Sequence, residues 1–450
     1  MKKVPLIVSI LLAVCARLYA APIELLPAFS PEDRVLVFAP HPDDESIGTA
    51  GVIQRALQAG ARVHVVCYTN GDNNEFAFIV YEKRLTFRKG EFLHMGEVRR
   101  HETIAAMDVL GVHGSGVRFM GYPDYGTMDI LTKYWETDKP FRSMLPRVTR
   151  VSYPDALSVG APFVGESILR DVKTVLQAFR PTKIFVSHPA DTNRDHQTLY
   201  IFLRVALWDL GGTIPAPQVF PYLIHVIGWP VPRGSHPELP LNPPADLAES
   251  TWFTLPLDAG EVAGKAVAIA LHKSQIVYNP PYLYTFARSN ELFSDVDPLE
   301  LKKSSPGGVD WQHVVCQRVS RKQKNTVCIN SNALSYGLAD NRLLIRMELR
   351  TRLDKNLGTQ FLLLGYSTKV PFARMPKLAV TIGVMGMKIK NKRQVLFVPD
   401  ARYWFEGNTL MISLPLACLG NPDYIFARVR RNLVRLPLNV STWRILDIKP

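Results

Sequence analysis

The chain has 450 residues, of which 47% are hydrophobic, and a formal net charge of +13 at pH 7. This length suits two domains, and the composition is that of a folded globular protein rather than a disordered or fibrous one. Residues 21–300 hold 25 Lys and Arg against 32 Asp and Glu, whereas residues 301–450 hold 25 against 8. The resulting net charges of −7 and +17 indicate two domains with different roles.

The first 20 residues are typical of a secretory signal peptide. Two lysines precede a short apolar run from Val4 to Val14, and Leu18-Tyr19-Ala20 resembles a cleavage site. The apolar run is too short to span a membrane. We therefore expect residues 1–20 to be removed and the mature protein to be secreted, periplasmic or in the cell envelope. A lipoprotein anchor on Cys15 is less favoured, because Val14 stands where such signals carry a small residue.

Strand and helix signals alternate from Arg34 to Leu210. Strand-like runs occupy Arg34–Pro40, Arg62–Thr69 and the segment "KIFVSHP", and helical patterns occupy Glu45–Ala59, Val98–Gly111, Ser167–Phe179 and His196–Leu210. Helical character returns at Lys265–Gln275, after a proline-rich loop at 229–250. This alternation predicts an α/β, Rossmann-like parallel sheet for residues 21–298. Ligands in such sheets bind at the carboxyl ends of the strands.

The pattern changes after about Pro298. Short, partly alternating apolar runs separated by Gly, Asn, Asp and Pro continue to the end of the chain. They predict a basic, all-β accessory domain, a β-sandwich, for residues 299–450. Cys316 and Cys328 are close enough in sequence to form a disulfide in an exported protein, and no Cys-x-x-Cys pair indicates a thiolate zinc site.

Two polar clusters follow predicted strands. The first, "HPDDE", begins at His41 and contains Asp43 and Asp44; the second, "HPADTNRDH", ends at Asp195 and His196. A catalytic zinc site takes three His or carboxylate ligands and keeps one open position, and a further carboxylate can act as a general base. Each cluster alone is equally consistent with a capped helix start. Together, at two strand ends of one sheet, they favour a metal site.

These paired motifs resemble the PIG-L/LmbE family of zinc-dependent N-deacetylases, which includes the GlcNAc-phosphatidylinositol deacetylase. The resemblance covers about residues 32–295, and it is supported by "TNGD" at 69–72, "RRHE" at 99–102, "GYPD" at 121–124 and "KAVAIALHKSQ" at 265–275. It does not extend to the β-rich region.

The resemblance implies a role for several positions. His41, Asp44 and His196 would be the zinc ligands, and Asp43 the general base that activates a water molecule. Asp195 would orient and polarise a neighbouring group. By the same resemblance, substrate would be bound by Arg99 and Asp124; a structural salt bridge is the alternative for Arg99.

One position departs from the family pattern. Many members have a histidine three residues before the last zinc ligand, where this chain has Asn193. An amide can donate a hydrogen bond to an oxyanion but cannot supply a proton at neutral pH. Asp43 alone, or His225 in "YLIHVIGWP", would then deliver the proton to the leaving amine. We interpret His225 primarily as a core histidine on a strand.

The sequence therefore predicts an exported hydrolase that uses Zn²⁺ to remove an N-acetyl group from an N-acetylglucosamine-type sugar or glycoconjugate. The alternatives are a zinc amidase acting on another acyl conjugate, and a catalytically weak carbohydrate-binding envelope protein. The basic C-terminal region predicts contact with anionic envelope glycans or lipid head groups. No nucleic-acid-binding module is recognisable.

Overall fold

A computed structural model describes residues 23–85, 88–247, 250–277, 279–303, 308–314, 334–348, 357–433, 436–440 and 442–449. The expected signal peptide with Cys15, and the expected pairing of Cys316 with Cys328, lie outside these residues. Cys67 and Cys418 are free thiols. No helix within the described ranges is both long and apolar enough to cross a membrane.

The first part of the chain forms one eight-stranded sheet. Its strands are β1 (Ile23–Leu25), β2 (Arg34–Ala39), β3 (Arg62–Thr69), β4 (Val117–Tyr122), β5 (Lys183–Ser187), β6 (Gln218–Tyr222), β7 (Trp252–Pro256) and β8 (Asn290–Ser294). They are ordered β1-β7-β8-β6-β5-β2-β3-β4. The five strands from β6 to β4 are parallel, so the predicted α/β fold is confirmed.

Helices cover both faces of this sheet. They are α1 (Asp44–Gln58), α2 (Glu75–Glu82), α3 (Lys89–Val109), α4 (Thr127–Lys133), α5 (Gly165–Phe179), α6 (Arg194–Asp209), α7 (Ala259–Leu271), α8 (Lys273–Ile276) and α9 (Pro280–Leu283), with 3₁₀ turns at Gly114–Gly116, Ala245–Leu247, Tyr284–Phe286 and Leu416–Leu419. Val35 and Val37 of β2 enter one apolar cluster, and Leu36 and Phe38 enter the other. Burial on both faces explains the unbroken apolar run of this strand.

The remaining strands form two further sheets. They are β9 (Leu299–Leu301), β10 (Gln312–Val314), β11 (Leu334–Ala339), β12 (Arg342–Glu348), β13 (Leu357–Tyr366), β14 (Lys377–Gly383), β15 (Gly386–Asn391), β16 (Gln394–Leu396), β17 (Arg402–Glu406), β18 (Thr409–Pro415), β19 (Tyr424–Leu433), β20 (Leu436–Val440) and β21 (Arg444–Ile448). One sheet is ordered β10-β11-β12-β18-β17, and the other β16-β15-β14-β13-β19-β21-β9 with β20 beside β19. A shared apolar core lies between them, as a β-sandwich requires.

The two regions of the chain share part of their core. Phe372 and Phe426 of the C-terminal region belong to the same buried cluster as Trp135 and α6 of the α/β region. Phe372 packs edge-on against Trp135, with ring centroids 5.3 Å apart. Trp208 stacks on Tyr424 at 4.3 Å. The sandwich is therefore fastened to the α/β region by aromatic packing.

Two local expectations differ from the structure. The sheet is mixed rather than wholly parallel, because β8 runs antiparallel to both β6 and β7. The segment "YLIHVIGWP" is not a strand around His225, because β6 begins earlier, at Gln218, and ends at Tyr222. His225 therefore lies in the loop beyond the carboxyl end of the strand. Apolar residues continue past the strand end here because they line a buried loop, which periodicity alone does not reveal.

The shared core leads to a stability prediction. Phe372 is 1% exposed, and we expect Phe372→Ala to lower the free energy of unfolding by about 3–5 kcal/mol, because it leaves a cavity against Trp135. Phe397 is 86% exposed, so Phe397→Ala serves as the control and should change stability by about 0.5 kcal/mol or less. Denaturant unfolding followed by circular dichroism measures both. Equal effects would contradict a shared core.

Candidate active site

The two polar clusters meet where the strand order of the sheet reverses. The first follows β2 and the second follows β5, and these two strands pair in parallel. The chain passes from β2 to β3 and β4 on one side, and later returns to β5 on the other side of β2. Reversal of strand order opens a crevice at the carboxyl ends of the central strands. Both loops therefore project into the same crevice.

Three of the predicted ligand atoms form a small triangle. Asp44 Oδ2 lies 3.2 Å from His41 Nδ1 and 3.0 Å from His196 Nε2, and the two imidazole nitrogens are 3.2 Å apart. Ligands bound at about 2.0–2.1 Å to a tetrahedral zinc ion lie about 3.3 Å from one another. The triangle thus has the size of one face of such a coordination shell. The residues present fit a divalent metal ion.

The other nitrogen of each histidine faces a carboxylate. His41 Nε2 lies 3.2 Å from Asp124 Oδ1 and 3.4 Å from Asp195 Oδ2. His196 Nδ1 lies 3.1 Å from Asp191 Oδ2. A carboxylate in this position holds the proton on the outer nitrogen and leaves the inner nitrogen free to bind a metal. Asp191 was present in the sequence motif, but its orienting role follows only from the folded geometry.

The electrostatics of the crevice favour a bound cation. Burial lowers the pKa of His196, but the carboxylates of Asp191 and Asp44 outweigh it and raise that pKa to about 9. Burial opposes the ionisation of Asp44, yet His196 and His41 hold the pKa of this carboxyl well below its usual range. Acidic groups thus outnumber the histidines and stabilise positive charge between them.

Asp43 occupies a different position from its neighbour. Its side chain lines the cavity, is 14% exposed, and forms no capping hydrogen bond with α1. Burial raises the pKa of Asp43 to about 7, against the lowering effect of Arg99. Its φ of 128° is rare for a residue with a side chain, and such strain concentrates at functional sites. The helix-cap alternative for these acids therefore has no support in the geometry.

Arg99 supports the loops beneath Asp43. It is 4% exposed and donates hydrogen bonds to the carbonyl oxygens of Gly71 at 3.0 Å and Pro42 at 2.6 Å. Its Nη2 lies 3.5 Å from Asp43 Oδ1. A Cβ atom at position 71 would lie 1.8 Å from Arg99 Nη1, which explains the glycine in "TNGD". Arg99 also lines the cavity, so its predicted substrate contact stays a prediction beside this structural role.

Asp195 and Asp124 are both engaged inside the protein. Asp195 is fully buried and accepts hydrogen bonds from the amides of Tyr125 at 2.7 Å and Thr127 at 3.3 Å, and from the Thr127 hydroxyl. Asp124 accepts from the amide of Asn73 at 3.2 Å and faces His41 with its other oxygen. The neighbouring group that Asp195 is predicted to orient is therefore His41. The substrate role of Asp124 stays a prediction.

Two hydrogen-bond donors face the open side of the crevice. Asn193 uses its side-chain oxygen to cap α6, accepting from the amide of Asp195 at 2.8 Å, and its amide nitrogen forms no hydrogen bond with another described residue. His225 is only partly buried, and its ring lies 4.7 Å from that of His196. Its Nδ1 lies 2.8 Å from the hydroxyl of Tyr282. His225 is therefore part of the site rather than a core histidine.

These groups line one cavity of about 520 Å³. It extends from the ligand triangle to Phe76, Arg233, Gln275 and Tyr282 on surrounding loops and helices. Arg233 comes from the proline-rich segment at 229–250, and its guanidinium lies 4.7 Å from the centre of the Tyr282 ring. The volume is that of a pocket for a small ligand.

Comparisons with known proteins match part of this chain to one family. Residues 36–207 match the family model described as PIG-L, GlcNAc-PI de-N-acetylase. The deacetylase of 1D-myo-inositol 2-acetamido-2-deoxy-α-D-glucopyranoside from Kribbella flavida is 26% identical over 298 residues, covering 59% of this chain and 90% of that protein. Its counterpart from Corynebacterium glutamicum is 36% identical over 81 residues, which span 18% of this chain and 27% of that protein.

A solved structure with a similar fold is the N,N'-diacetylchitobiose deacetylase from Pyrococcus horikoshii. It is 18% identical, with a TM-score of 0.36, and the match covers 58% of this chain and 83% of that one. The family match spans the loops that carry the ligand triangle and both strands that support them. The resemblance inferred from the two motifs is therefore confirmed, and residues 36–207 of this chain form a PIG-L family domain.

Proposed function

We propose that this protein is an exported, zinc-dependent hydrolase that removes an N-acetyl group from an N-acetylglucosamine-type sugar or glycoconjugate. The ligand triangle of His41, Asp44 and His196, with the carboxylate of Asp43 lining the same cavity, carries this proposal. The curated relatives are named as deacetylases of an N-acetylated glucosamine linked to inositol, which supports this substrate class.

Different residues of the chain bind the metal and transfer the proton in this reaction. Zinc held by His41, Asp44 and His196 would supply a Lewis acid for the acetyl carbonyl. Asp43 takes a proton from the attacking water, whose oxygen forms a bond to the carbonyl carbon. The carbon–nitrogen bond then breaks, and Asp43 returns the proton to the leaving nitrogen. Acetate and a free amine are the products.

The cavity also offers hydrogen bonds to the oxyanion that develops on the carbonyl. The Tyr282 hydroxyl lies 2.8 Å from His225 Nδ1 and 3.2 Å from the carbonyl oxygen of Ile224. We infer that the shorter contact takes the hydroxyl proton, which places the proton of a neutral imidazole on Nε2. Burial lowers the pKa of His225 to about 4, which keeps the ring neutral at pH 7. A neutral histidine donates a hydrogen bond without adding charge. Asn193 provides a second donor from the opposite loop.

The first prediction distinguishes the roles of the adjacent residues Asp43 and Asp44. Asp44→Ala removes one of three protein ligands, so zinc content and acetate release should both fall. Asp43→Asn keeps the shape and the ligands, so zinc should remain while turnover falls by about 10²–10⁴-fold. Metal analysis and acetate assays on both purified variants measure this. Full activity in Asp43→Asn would refute the mechanism, and undiminished zinc in Asp44→Ala would refute the site.

A second prediction concerns the oxyanion donors. His225→Phe removes a hydrogen-bond donor to the oxyanion and should lower kcat by about 10²–10³-fold with little change in KM. Tyr282→Phe should lower kcat less, because it removes only the contact that fixes the tautomer of His225. Asn193→Ser retains a capping oxygen and removes the long amide donor, so it isolates catalysis from helix stability. The exposed His101 gives the control His101→Gln. If kcat is unchanged in His225→Phe, His225 does not donate to the oxyanion, and Asn193 is then the donor to test.

The substrate class is tested with a panel of N-acetylated sugars and matched amides. Acetate release from N-acetylglucosamine, N,N'-diacetylchitobiose and acetylated cell-wall glycans should exceed release of longer acyl groups from matched amides, and added zinc should restore activity to the metal-free protein. Preferential cleavage of the longer acyl groups would instead identify an amidase for another conjugate. Binding of these sugars without hydrolysis by the zinc-loaded protein would indicate a carbohydrate-binding protein.

Export is tested separately. The signal-like start predicts a mature chain beginning near Ala21. N-terminal sequencing of protein recovered from the native envelope or medium should show this terminus. A cytosolic pool that retains Met1 or Lys2 would contradict export.

A further inference from the structure

Two fully buried side chains behind Asp43 take no direct part in the proposed reaction. They are Glu45, the last residue of the "HPDDE" motif, and His272, in the "KAVAIALHKSQ" segment. Both are 0% exposed. Glu45 lies in the first turn of α1, and His272 is the C-cap of α7, which packs on α1. Neither side chain can touch a substrate, so any effect on the reaction passes through another residue.

The carboxylate of Glu45 links His272 to the backbone of Asp43. Its Oε2 accepts a hydrogen bond from the amide of Asp43 at 3.0 Å, and its Oε1 lies 3.1 Å from His272 Nε2. The Ser46 hydroxyl lies 2.9 Å from the same nitrogen and 3.2 Å from Oε1, so the three side chains are in mutual contact. These contacts fix the position of the buried carboxylate, which in turn holds the amide of Asp43.

The peptide group that Glu45 binds is held at its other edge by Arg99. This peptide joins Pro42 to Asp43 and is trans, so its carbonyl and its N–H point in opposite directions. Arg99 Nη2 donates to the Pro42 carbonyl at 2.6 Å. The two contacts lie on opposite edges of one rigid plane, and they set its rotation about the N–Cα bond of Asp43. That rotation is the φ of 128°.

The peptide group on the other side of Asp43 is bound as well. The Asp43 carbonyl accepts hydrogen bonds from the amides of Ser46 at 3.0 Å and Ile47 at 2.9 Å, at the start of α1. With both peptide groups bound, the direction of the Cα–Cβ bond of Asp43 is fixed, and its carboxylate lines the cavity. A conformation this rare for a residue with a side chain persists only where its surroundings enforce it.

We propose that Glu45 and His272 are positioning residues for Asp43. Together with Arg99, they hold the peptide before Asp43 in its strained orientation and thereby keep the carboxylate beside the ligand triangle. The proposal rests on the proposed function, in which Asp43 takes a proton from the attacking water. A general base acts only within hydrogen-bond reach of that proton, and a displacement of about 1 Å can cost about 10²-fold in rate. Loss of these contacts should lower kcat while the zinc ligands stay in place.

Two substitutions of Glu45 distinguish its reach from its charge. Glu45→Gln keeps an oxygen that can accept from the Asp43 amide and removes the charge. Glu45→Asp keeps the charge and withdraws the oxygen by one methylene group. We expect kcat per bound zinc to fall about 10²-fold in Glu45→Asp, with little change in KM, and to stay near the wild-type value in Glu45→Gln. The proposal is overturned if Glu45→Asp retains at least as much activity as Glu45→Gln.

His272 is tested with a second pair of variants. His272→Leu removes the ring nitrogen that faces Glu45, whereas His272→Gln can place an amide N–H in its position. We expect kcat per bound zinc to fall about tenfold in His272→Leu and to recover in His272→Gln. The loss should be smaller than in Glu45→Asp, because Ser46 still contacts the carboxylate. No recovery in His272→Gln would contradict positioning through this contact.

A buried ion pair between the same two helices and the sheet provides the control. Lys265 of α7 lies 2.7 Å from Glu291, whose carboxylate accepts hydrogen bonds from the α1 amides of Gly51 at 2.8 Å and Val52 at 2.9 Å. Lys265→Met should lower the melting temperature and leave kcat per bound zinc unchanged. If His272 had only a structural role, His272→Leu would behave in the same way.

Crystal structures test the positioning without any activity. In the wild type and in Glu45→Gln, Asp43 should keep its positive φ, and in Glu45→Asp its φ should relax to a negative value. A wild type that releases no acetate would refute the proposed function, and the φ of Asp43 in the variants would still decide whether Glu45 positions it. An unchanged φ in Glu45→Asp would overturn the positioning role, whatever the activity of the wild type.

Discussion

The site depends on the burial of several carboxylates around two histidines. Asp44 lies between the two imidazoles, and the carboxylates of Asp124, Asp195 and Asp191 lie against the outer nitrogens of the rings. Burying a charge without a partner costs several kcal/mol, so this arrangement is stable only when positive charge is shared among the acids. Protons on the histidines supply it in the metal-free chain, and a divalent ion would replace them. The fit of this cluster to a divalent ion is thus an electrostatic consequence of the fold.

Such a cluster needs fixed positions, and the sheet provides them. The loops after β2 and β5 start from adjacent, fully buried strands, which limits how far their side chains can move. Arg99 holds the loop of Asp43 from below through the carbonyls of Pro42 and Gly71. The start of α4 donates to Asp195, which in turn faces His41. The Asp43 loop and the His41 ring are therefore positioned by hydrogen-bonded neighbours rather than by their own backbone alone.

The C-terminal region extends this support. Trp443 bonds to the loop that precedes His196, and Phe372 packs on Trp135, which follows the helix that supports Asp195. Lys392 also pairs with Glu136 at 2.7 Å. The region that lies outside the family match thus contacts both sides of the candidate site.

The sequence by itself determined the local features. Apolar runs and glycines located β2, β3, β5 and most helices, and the two motifs contained the ligand set and Asp43, because strand ends, helix starts and ligand spacing depend on neighbouring residues. The tertiary structure decided the pairing of Asp124 with His41, the position of His225 against His196 and Tyr282, and the antiparallel direction of β8. These contacts join residues far apart in the chain. They depend on strand order and on the packing of two regions, and the periodicity of hydrophobic residues encodes neither.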